Sequence, residues 1–443
     1  MRNLTEGSWV KLAMIVMIAG SGVVNARGPV ARSWEEAESR LKPVTQDGPV
    51  AKPELRGKVV AGYQGWFGAE GDGSGVGWRH YGGEGLGPGF CSFEMWPAMD
   101  EMGKGEKFPS LFKYDDGSPA SLFSSYVSDT VDRHFKWMAE YGIDGVMLQR
   151  FGANLRRPED FDFCTAVMDN VRNAAVKHDR SWGVMYDLSG MKKEELLPLI
   201  KEDWKRLVRL GKVTEDSVYL HHHGKPLVAI WGIGFSDGRD YGLAECGELI
   251  DFLKGDPEFG GNSVMLGIPY FWRDGERDAV PGEELEAVLK KADILSPWAV
   301  GRYRGSDEVG KILPERIKGD LNWCKSEDMA YLPVIFPGFS WHNLQKNRGV
   351  DAPLNAIDRE DGKFLWRQAI EAKKAGSEMI YIAMFDELDE ATAILKVSER
   401  VPVGESPFVS YGDLPEDHYL WLSGEIGRML RGEIPPGKGL PER

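Results

Sequence analysis

Apolar and polar positions along this chain alternate between two kinds of stretch. Short apolar or β-branched runs occur at Lys58–Gln64, Ile143–Gln149, Trp182–Leu188, Pro226–Gly232, Ser263–Tyr270, Ile294–Ala299, Leu332–Phe336 and Met379–Phe385. Their length and continuous apolar character predict strands buried on both faces. Each is followed by a stretch of helical periodicity: Tyr126–Glu140, Glu159–His178, Glu194–Leu210, Leu243–Lys254, Glu283–Ala292, Glu308–Lys325, Lys363–Ala375 and Asp417–Leu430. Eight strands in strict alternation with eight helices predict an α/β protein, a (β/α)8 barrel spanning residues 58–432. An open doubly wound sheet would carry a phosphate-binding glycine fingerprint after its first strand. The glycines of Gly71–Trp78 lack that spacing, and no amphipathic helix follows them at once.

Two connections are much longer than the rest. One runs from Gly65 to about Ser125 and holds His80, Tyr81, Trp96 and Asp100; the other runs from Asp386 to Glu416. Long loops in a compact domain are usually functional or disordered, and both follow strand C-termini, where barrel enzymes build their active sites. Barrel closure makes the first and eighth strands neighbours, so the two loops should meet at one mouth.

Outside the barrel, residues 1–26 combine Arg2 and Lys11 with the apolar run Leu12–Val24 and a Val24-Asn25-Ala26 ending, the pattern of a secretory signal peptide. Residues 27–57 read as a polar arm and 433–443 as a polar tail. The expectation is an exported, secreted or periplasmic protein that acts as a monomer, with no stable membrane insertion once the signal is removed. The net charge of -15, with no basic run, argues against nucleic acid and anionic membranes and favours a neutral or cationic partner. Cys91, Cys164, Cys246 and Cys324 have no metal-binding spacing; disulfides and buried thiols both remain open. His221-His222-His223 precedes the fourth strand and so reads as a hairpin at the opposite end of the barrel. No Gly-x-Ser-x-Gly elbow occurs, and nothing in the pattern calls for a cofactor or metal.

Fifteen Trp, fourteen Tyr and nineteen Phe exceed the needs of one core, and many fall at predicted strand ends. Tyr63 and Trp66, Gln149 and Arg150, Tyr186 and Asp187, Trp231, Tyr270 and Trp272, Trp298, and Trp341 and His342 form a predicted ring of aromatic platforms and hydrogen-bonding tips. Such a ring suits an oligo- or polysaccharide. The eighth strand then delivers Asp386, Glu387, Asp389 and Glu390. Glycosidic cleavage needs a protonated acid and a second carboxylate, and crowded carboxylates raise one another's pKa. Glu387 and Glu390, three residues apart, are the candidate pair; Asp386 or Asp389 could instead be acids at a helix N-terminus.

The segment Phe385–Thr392, FDELDEAT, resembles the Asn-Glu-Trp-His-Glu-Gly-Thr motif of glycoside hydrolase family 99, the endo-α-mannosidases. Gly62–Gly68, Tyr141–Gln149 and Gly224–Gly232 resemble that family's first, second and fourth strands. The likeness runs from about residue 58 to 395 and fits the looser family 71/99-like group of exported bacterial proteins. It implies a retaining mechanism in which Glu387 takes a proton from the sugar 2-hydroxyl and Glu390 serves as acid and then base. Asp386, Leu388, Asp389 and Ala391 depart from the motif, which bears on the sugar recognised; Asp386 could touch it. An α-glucanase-like or pentosidase-like hydrolase, and a non-catalytic carbohydrate-binding barrel, fit the same residues.

Overall fold

A computed structural model describes residues 30–44, 53–437 and 439–443. The expected signal peptide lies outside the described residues. Eight parallel strands form the barrel: β1 (Val59–Tyr63), β2 (Gly145–Phe151), β3 (Ser181–Asp187), β4 (Lys225–Trp231), β5 (Ser263–Pro269), β6 (Ile294–Trp298), β7 (Ala330–Tyr331 and Val334–Ile335) and β8 (Ile380–Ile382). Helices α1 (Ser128–Tyr141), α2 (Pro158–Lys177), α3 (Lys193–Arg206), α4 (Leu243–Gly255), α5 (Glu283–Leu289), α6 (Gly305–Ser326), α7 (Lys363–Ala375) and α8 (His418–Leu430) follow them in turn. The expected (β/α)8 architecture is therefore the observed one.

Burial on both faces explains why the strands read as unbroken apolar runs: β1, β3 and β5 are buried at every position. The sheet closes through β7, which is interrupted by Leu332-Pro333. Ala330 and Tyr331 pair with β6, whereas Val334 and Ile335 pair with β8. Pro333 has no N–H to give to a ladder, yet its carbonyl accepts from Tyr381 N at 3.0 Å. The sequence pattern placed this strand at 332–336 and did not show the break.

The long connection after β1 is not loop throughout. It contains an antiparallel hairpin, Phe108–Lys113 with Pro119–Leu122. It meets the connection after β8 through backbone bonds: Glu94 N donates to Leu388 O, Ser398 N to Trp96 O and Val403 N to Lys113 O. At the other end of the barrel, His221-His222 pairs with Lys225-Pro226 as a tight hairpin. Among the described residues no group of three or more His, Cys, Asp or Glu is arranged to hold a metal ion, and all four cysteines are free. No helix among them is long and apolar enough to cross a membrane.

Side chains at the ends of β2 and β3 divide by strand alternation. Arg150 and Tyr186 are register partners that point outward to α3. Arg150 donates to both oxygens of Asp203, at 2.7 and 2.6 Å, and the Tyr186 hydroxyl donates to the same carboxylate at 2.7 Å. All three are buried. Removing one member of a buried ion pair leaves an uncompensated charge at a cost of ~3–5 kcal/mol. Arg150→Met should therefore lower unfolding free energy by about that amount in urea titrations, and Arg150→Met/Asp203→Leu should recover most of it. A small loss for the single variant would mean that water reaches Asp203.

Candidate active site

The apolar run of β8 ends on Phe385, whose N–H donates to Gly62 O at 2.7 Å. Asp386 follows, fully buried, and takes the two backbone N–H groups at the end of β1: Gln64 N on Oδ1 at 2.7 Å and Gly65 N on Oδ2 at 2.8 Å. Burial pushes the Asp386 carboxyl up to about 7, against the pull of these bonds. No helix starts here; the next is α8. Asp386 therefore acts as a stitch between β8 and β1, not as a helix-terminal acid, and its two oxygens are occupied by protein.

Residues 386–391 form a tight turn. Leu388 is buried and Ala391 adopts φ +51, a left-handed conformation that costs an L-residue ~1–2 kcal/mol. Arg359, from the loop between β7 and α7, holds the far side of the turn. Its Nη2 donates to the carbonyls of Ala391 and Ala393 at 2.7 and 2.8 Å, and its guanidinium lies over the rings of Tyr411 and Tyr419. Ser340 N donates to Glu390 O at 2.9 Å, and Ser340 Oγ donates to the buried Glu94 at 2.7 Å.

This turn sets the environment of the acids. Glu387 is 5% exposed and accepts from Gln64 Nε2 at 2.6 Å and Thr392 Oγ1 at 2.5 Å. Burial, then the Asp389 charge, raises its pKa, and the two hydrogen bonds oppose that rise. Glu390 is half-buried and its carboxyl accepts no hydrogen bond from any described residue. Burial, then Glu387, then Asp389 raise it well above the usual carboxylate range. Asp389 is raised by burial as well; its Oδ1 has no partner, and its Oδ2 stands 3.8 Å from His80 Nδ1. The His80 ring stacks on Trp66 with centroids 4.0 Å apart, and burial, then the charge of Arg79, keeps it neutral. Trp66 is backed by Phe151 at 5.2 Å.

The opposite wall comes from β2, β3, β4, β6 and β8. Gln149 Nε2 donates to Tyr381 Oη at 3.2 Å, and the charges of Glu387, Asp187 and Asp386 bear on that hydroxyl. Gly62 makes this packing possible, since a Cβ there would sit 2.2 Å from both Tyr381 Oη and Met384 Sδ. Trp231 and Trp298 pack edge to face at 5.4 Å, and Trp298 reaches the Tyr381 ring at 6.5 Å. Gly267 gives Trp231 its room. Buried polar atoms in this region lack protein partners: Gln64 Oε1, Trp66 Nε1, Gln149 Oε1, Trp231 Nε1 and Asp389 Oδ1. Since an unpaired buried polar atom costs ~1–3 kcal/mol, these atoms are places for water or ligand hydroxyls.

Trp66, Gln149, Asp187, Trp231, Trp298, Glu387 and Glu390 are thus brought together. Five predicted contacts are placed elsewhere. Tyr63 is buried against α1, hydrogen-bonded to His134 Nδ1 at 2.9 Å. Arg150 and Tyr186 face α3, as described. Tyr270 packs on Tyr303 under Arg316 of α6. Trp272 meets Trp323 of α6 at 4.8 Å beside a separate cavity of about 480 Å³. These residues end strands or follow them closely, but alternation or the turn after the strand directs them into the helical layer. Trp341 and His342 open a short helix, His342–Lys346, in the connection after β7, Trp341 on Phe339 and His342 donating from Nδ1 to Ala352 O at 2.7 Å.

His80, Asp389, Arg359 and Glu94 have roles that strand-end reading did not assign. Gln64 stands at the tip of the first strand, where the sequence offers it as a hydrogen-bonding residue, and it holds Glu387. Glu94, 293 positions before Glu387 in the chain, gave no local signal.

No family model and no curated protein matches the sequence. In structure, the chain is similar to the GH99 endo-α-mannosidase from Bacteroides thetaiotaomicron. The complex of that enzyme with bis-tris-propane aligns with TM-score 0.61 and 15% identity, over 85% of this chain and 98% of that one. A second structure of the enzyme gives 0.59 and 16% over the same shares. A glycoside hydrolase-like protein aligns at 0.50 and 13%, over 88% and 98%. The likeness is one of fold: this chain has a barrel similar to that of the GH99 enzyme.

Two outcomes follow from the turn. Carboxyls in the unfolded chain titrate near ~4, whereas Asp386, Glu387, Asp389 and Glu390 hold their protons to higher pH in the fold. Their contribution to stability is full below about pH 4 and is lost as pH rises through their folded values, near 7 for Asp386. Glu390→Gln should match the wild type at pH 4.5 and exceed it by a margin that grows as the pH rises to 8, read from denaturation curves. A constant difference across that range would show Glu390 to be solvated like a surface acid. Ala391→Gly should raise stability by about 0.5–1 kcal/mol by relieving the left-handed strain; a loss would mean that the turn relaxes in solution.

Proposed function

We propose that the protein is an exported glycoside hydrolase that cleaves α-glycosidic bonds in an oligo- or polysaccharide, with Glu387 and Glu390 as its catalytic pair. The carrying observation is the placement of both glutamates on one turn at the C-terminal end of β8, in a mouth ringed by unpartnered polar atoms. The GH99-like fold supports the same reading, and the endo-α-mannosidase activity of the structurally similar Bacteroides enzyme makes an endo-acting α-mannosidase the specific form proposed.

Their environments separate the two roles. Glu387 receives hydrogen bonds on both oxygens, which favour its anion, so it ionises before Glu390. Glu390 has no such donors and keeps its proton. Glu387 then removes the proton of the sugar 2-hydroxyl while O2 attacks the anomeric carbon. The bond to the leaving oxygen breaks, and that oxygen takes the proton of Glu390. In the second step Glu390 accepts a proton from water, whose oxygen opens the 1,2-anhydro ring, and Glu387 returns its proton to O2. Two displacements at one carbon retain configuration.

Reducing-end release across mannans, glucans and arabinoxylans identifies the substrate class. On the glycan cleaved, Glu387→Gln and Glu390→Gln should each lower kcat by about 10²–10⁴-fold with binding preserved; mild effects from both would reduce the turn to a charged surface. Following the anomeric proton by NMR should show an initial α product, with no turnover of a 2-deoxy substrate. An initial β product would instead favour inversion, with Asp187 as the base.

A further inference from the structure

Asp389 and Glu390 are the least compensated groups in the mouth, and Asp389 is the more buried of the two. Its side chain is 7% exposed, Oδ1 has no partner, and the nearest base, His80, is beyond hydrogen-bond reach at 3.8 Å. His80 cannot swing closer without leaving its parallel stack on Trp66. The adjacent Arg79 is engaged elsewhere, paired with Asp160 at 3.0 Å and lying over Phe163. The groups bearing on Asp389 and its neighbours are acids: Asp386 and Glu387 and Glu390 on its own turn, and Glu94 from the long connection after β1. One cation, the exposed Arg348 after β7, acts on Asp389 and Glu390.

A second observation does not depend on the carboxylates. Gln64 gives its Nε2 to Glu387, which leaves Oε1 buried with no donor. Gln149 gives its Nε2 to Tyr381 and Met185, which leaves its Oε1 in the same state. Both residues are more than nine-tenths buried; Gln64 touches Glu387, and Gln149 touches Tyr381, on whose hydroxyl the Glu387 charge bears. Three desolvated acceptors therefore lack hydrogens in one mouth, beside two unpartnered donors, Trp66 Nε1 and Trp231 Nε1. A hydroxyl brings one; an ammonium brings three, and its charge favours release of the proton that burial keeps on Asp389 in the free fold.

Resting on the glycosidase reading above, we propose that the glycan taken by this site carries a free amino group, its ammonium seated against Asp389. Because Glu387 serves the 2-hydroxyl of the sugar being cleaved, the amine belongs to another position of that ring or to the leaving sugar. The net charge of -15 assists the approach of such a chain but does not define the seat.

The test is calorimetric titration of the whole protein at pH 6.5 and about 0.15 M salt, where surface fields are screened beyond ~8 Å. The probes are glucosamine, galactosamine and mannosamine, each against its N-acetyl and neutral parent. At least one amine should bind about tenfold or more tightly than both counterparts, as expected for a charged hydrogen bond. Asp389→Asn should erase that ratio, while Asp351→Asn, an exposed acid on the loop after β7, should leave it. Equal affinities, absence of binding, a ratio that survives Asp389→Asn, or an equal loss in Asp351→Asn would each overturn the proposal. Thermal unfolding of Asp389→Asn confirms that the variant is folded; Asp389→Glu, which keeps the charge, should retain part of the preference and serves as the check if it is not. Reducing-end release from neutral glycans without any amine preference leaves the glycosidase reading standing and removes this one. An amine preference with no release from any glycan, amino-sugar polymers included, removes the glycosidase reading and keeps Asp389 as a cation seat.

Discussion

Two backbone N–H groups at the end of β1 converge on one carboxylate at the end of β8, and the geometry of the mouth depends on that convergence. Asp386 lies between the barrel ladder and the turn, so its position fixes where Glu387 begins. Gln64 contributes at both levels, its backbone to Asp386 and its side chain to Glu387. An asparagine at this position would offer one acceptor oxygen where two donors arrive. The carboxylate is therefore the better local fit, despite the cost of burying a group raised to about 7.

The remaining supports reach the turn from distant parts of the chain. Arg359 grips two carbonyls while two tyrosines cover its guanidinium. Ser340 links the Glu390 carbonyl to Glu94. These contacts allow four acids to stand close together without a neutralising metal-like arrangement among the described residues. The acids respond by retaining protons, and the unequal supply of donors makes Glu387 and Glu390 chemically different although their side chains are identical.

The barrel was legible because burial on both faces writes itself into each strand as an unbroken apolar run. The eight helices were legible by their period, with ends displaced by only a few residues. The acid turn could be read because it directly follows such a run. The wall of the site was less legible, since one register step separates Gln149, which faces inward, from Arg150, which faces α3. A strand tip supplies two adjacent polar residues, and sequence alone does not say which one the barrel interior receives. Tyr270 and Trp272 fail for a related reason: the chain has already turned outward when it reaches them. Glu94 and Arg359 carry no local signature because their partners are brought to them by tertiary closure.

The interruption of β7 at Leu332-Pro333 has a mechanical consequence. Each half of that strand holds one neighbour, so no single stretch of it carries tension across the whole circumference. The cylinder thus has a seam, and the seam leads into the loop that contributes Ser340, Arg348 and Arg359. Amide exchange should enter the wall along this line before it reaches the long ladders of β2 to β5. The face nearest the acids is in this sense the most compliant part of an otherwise continuous hoop.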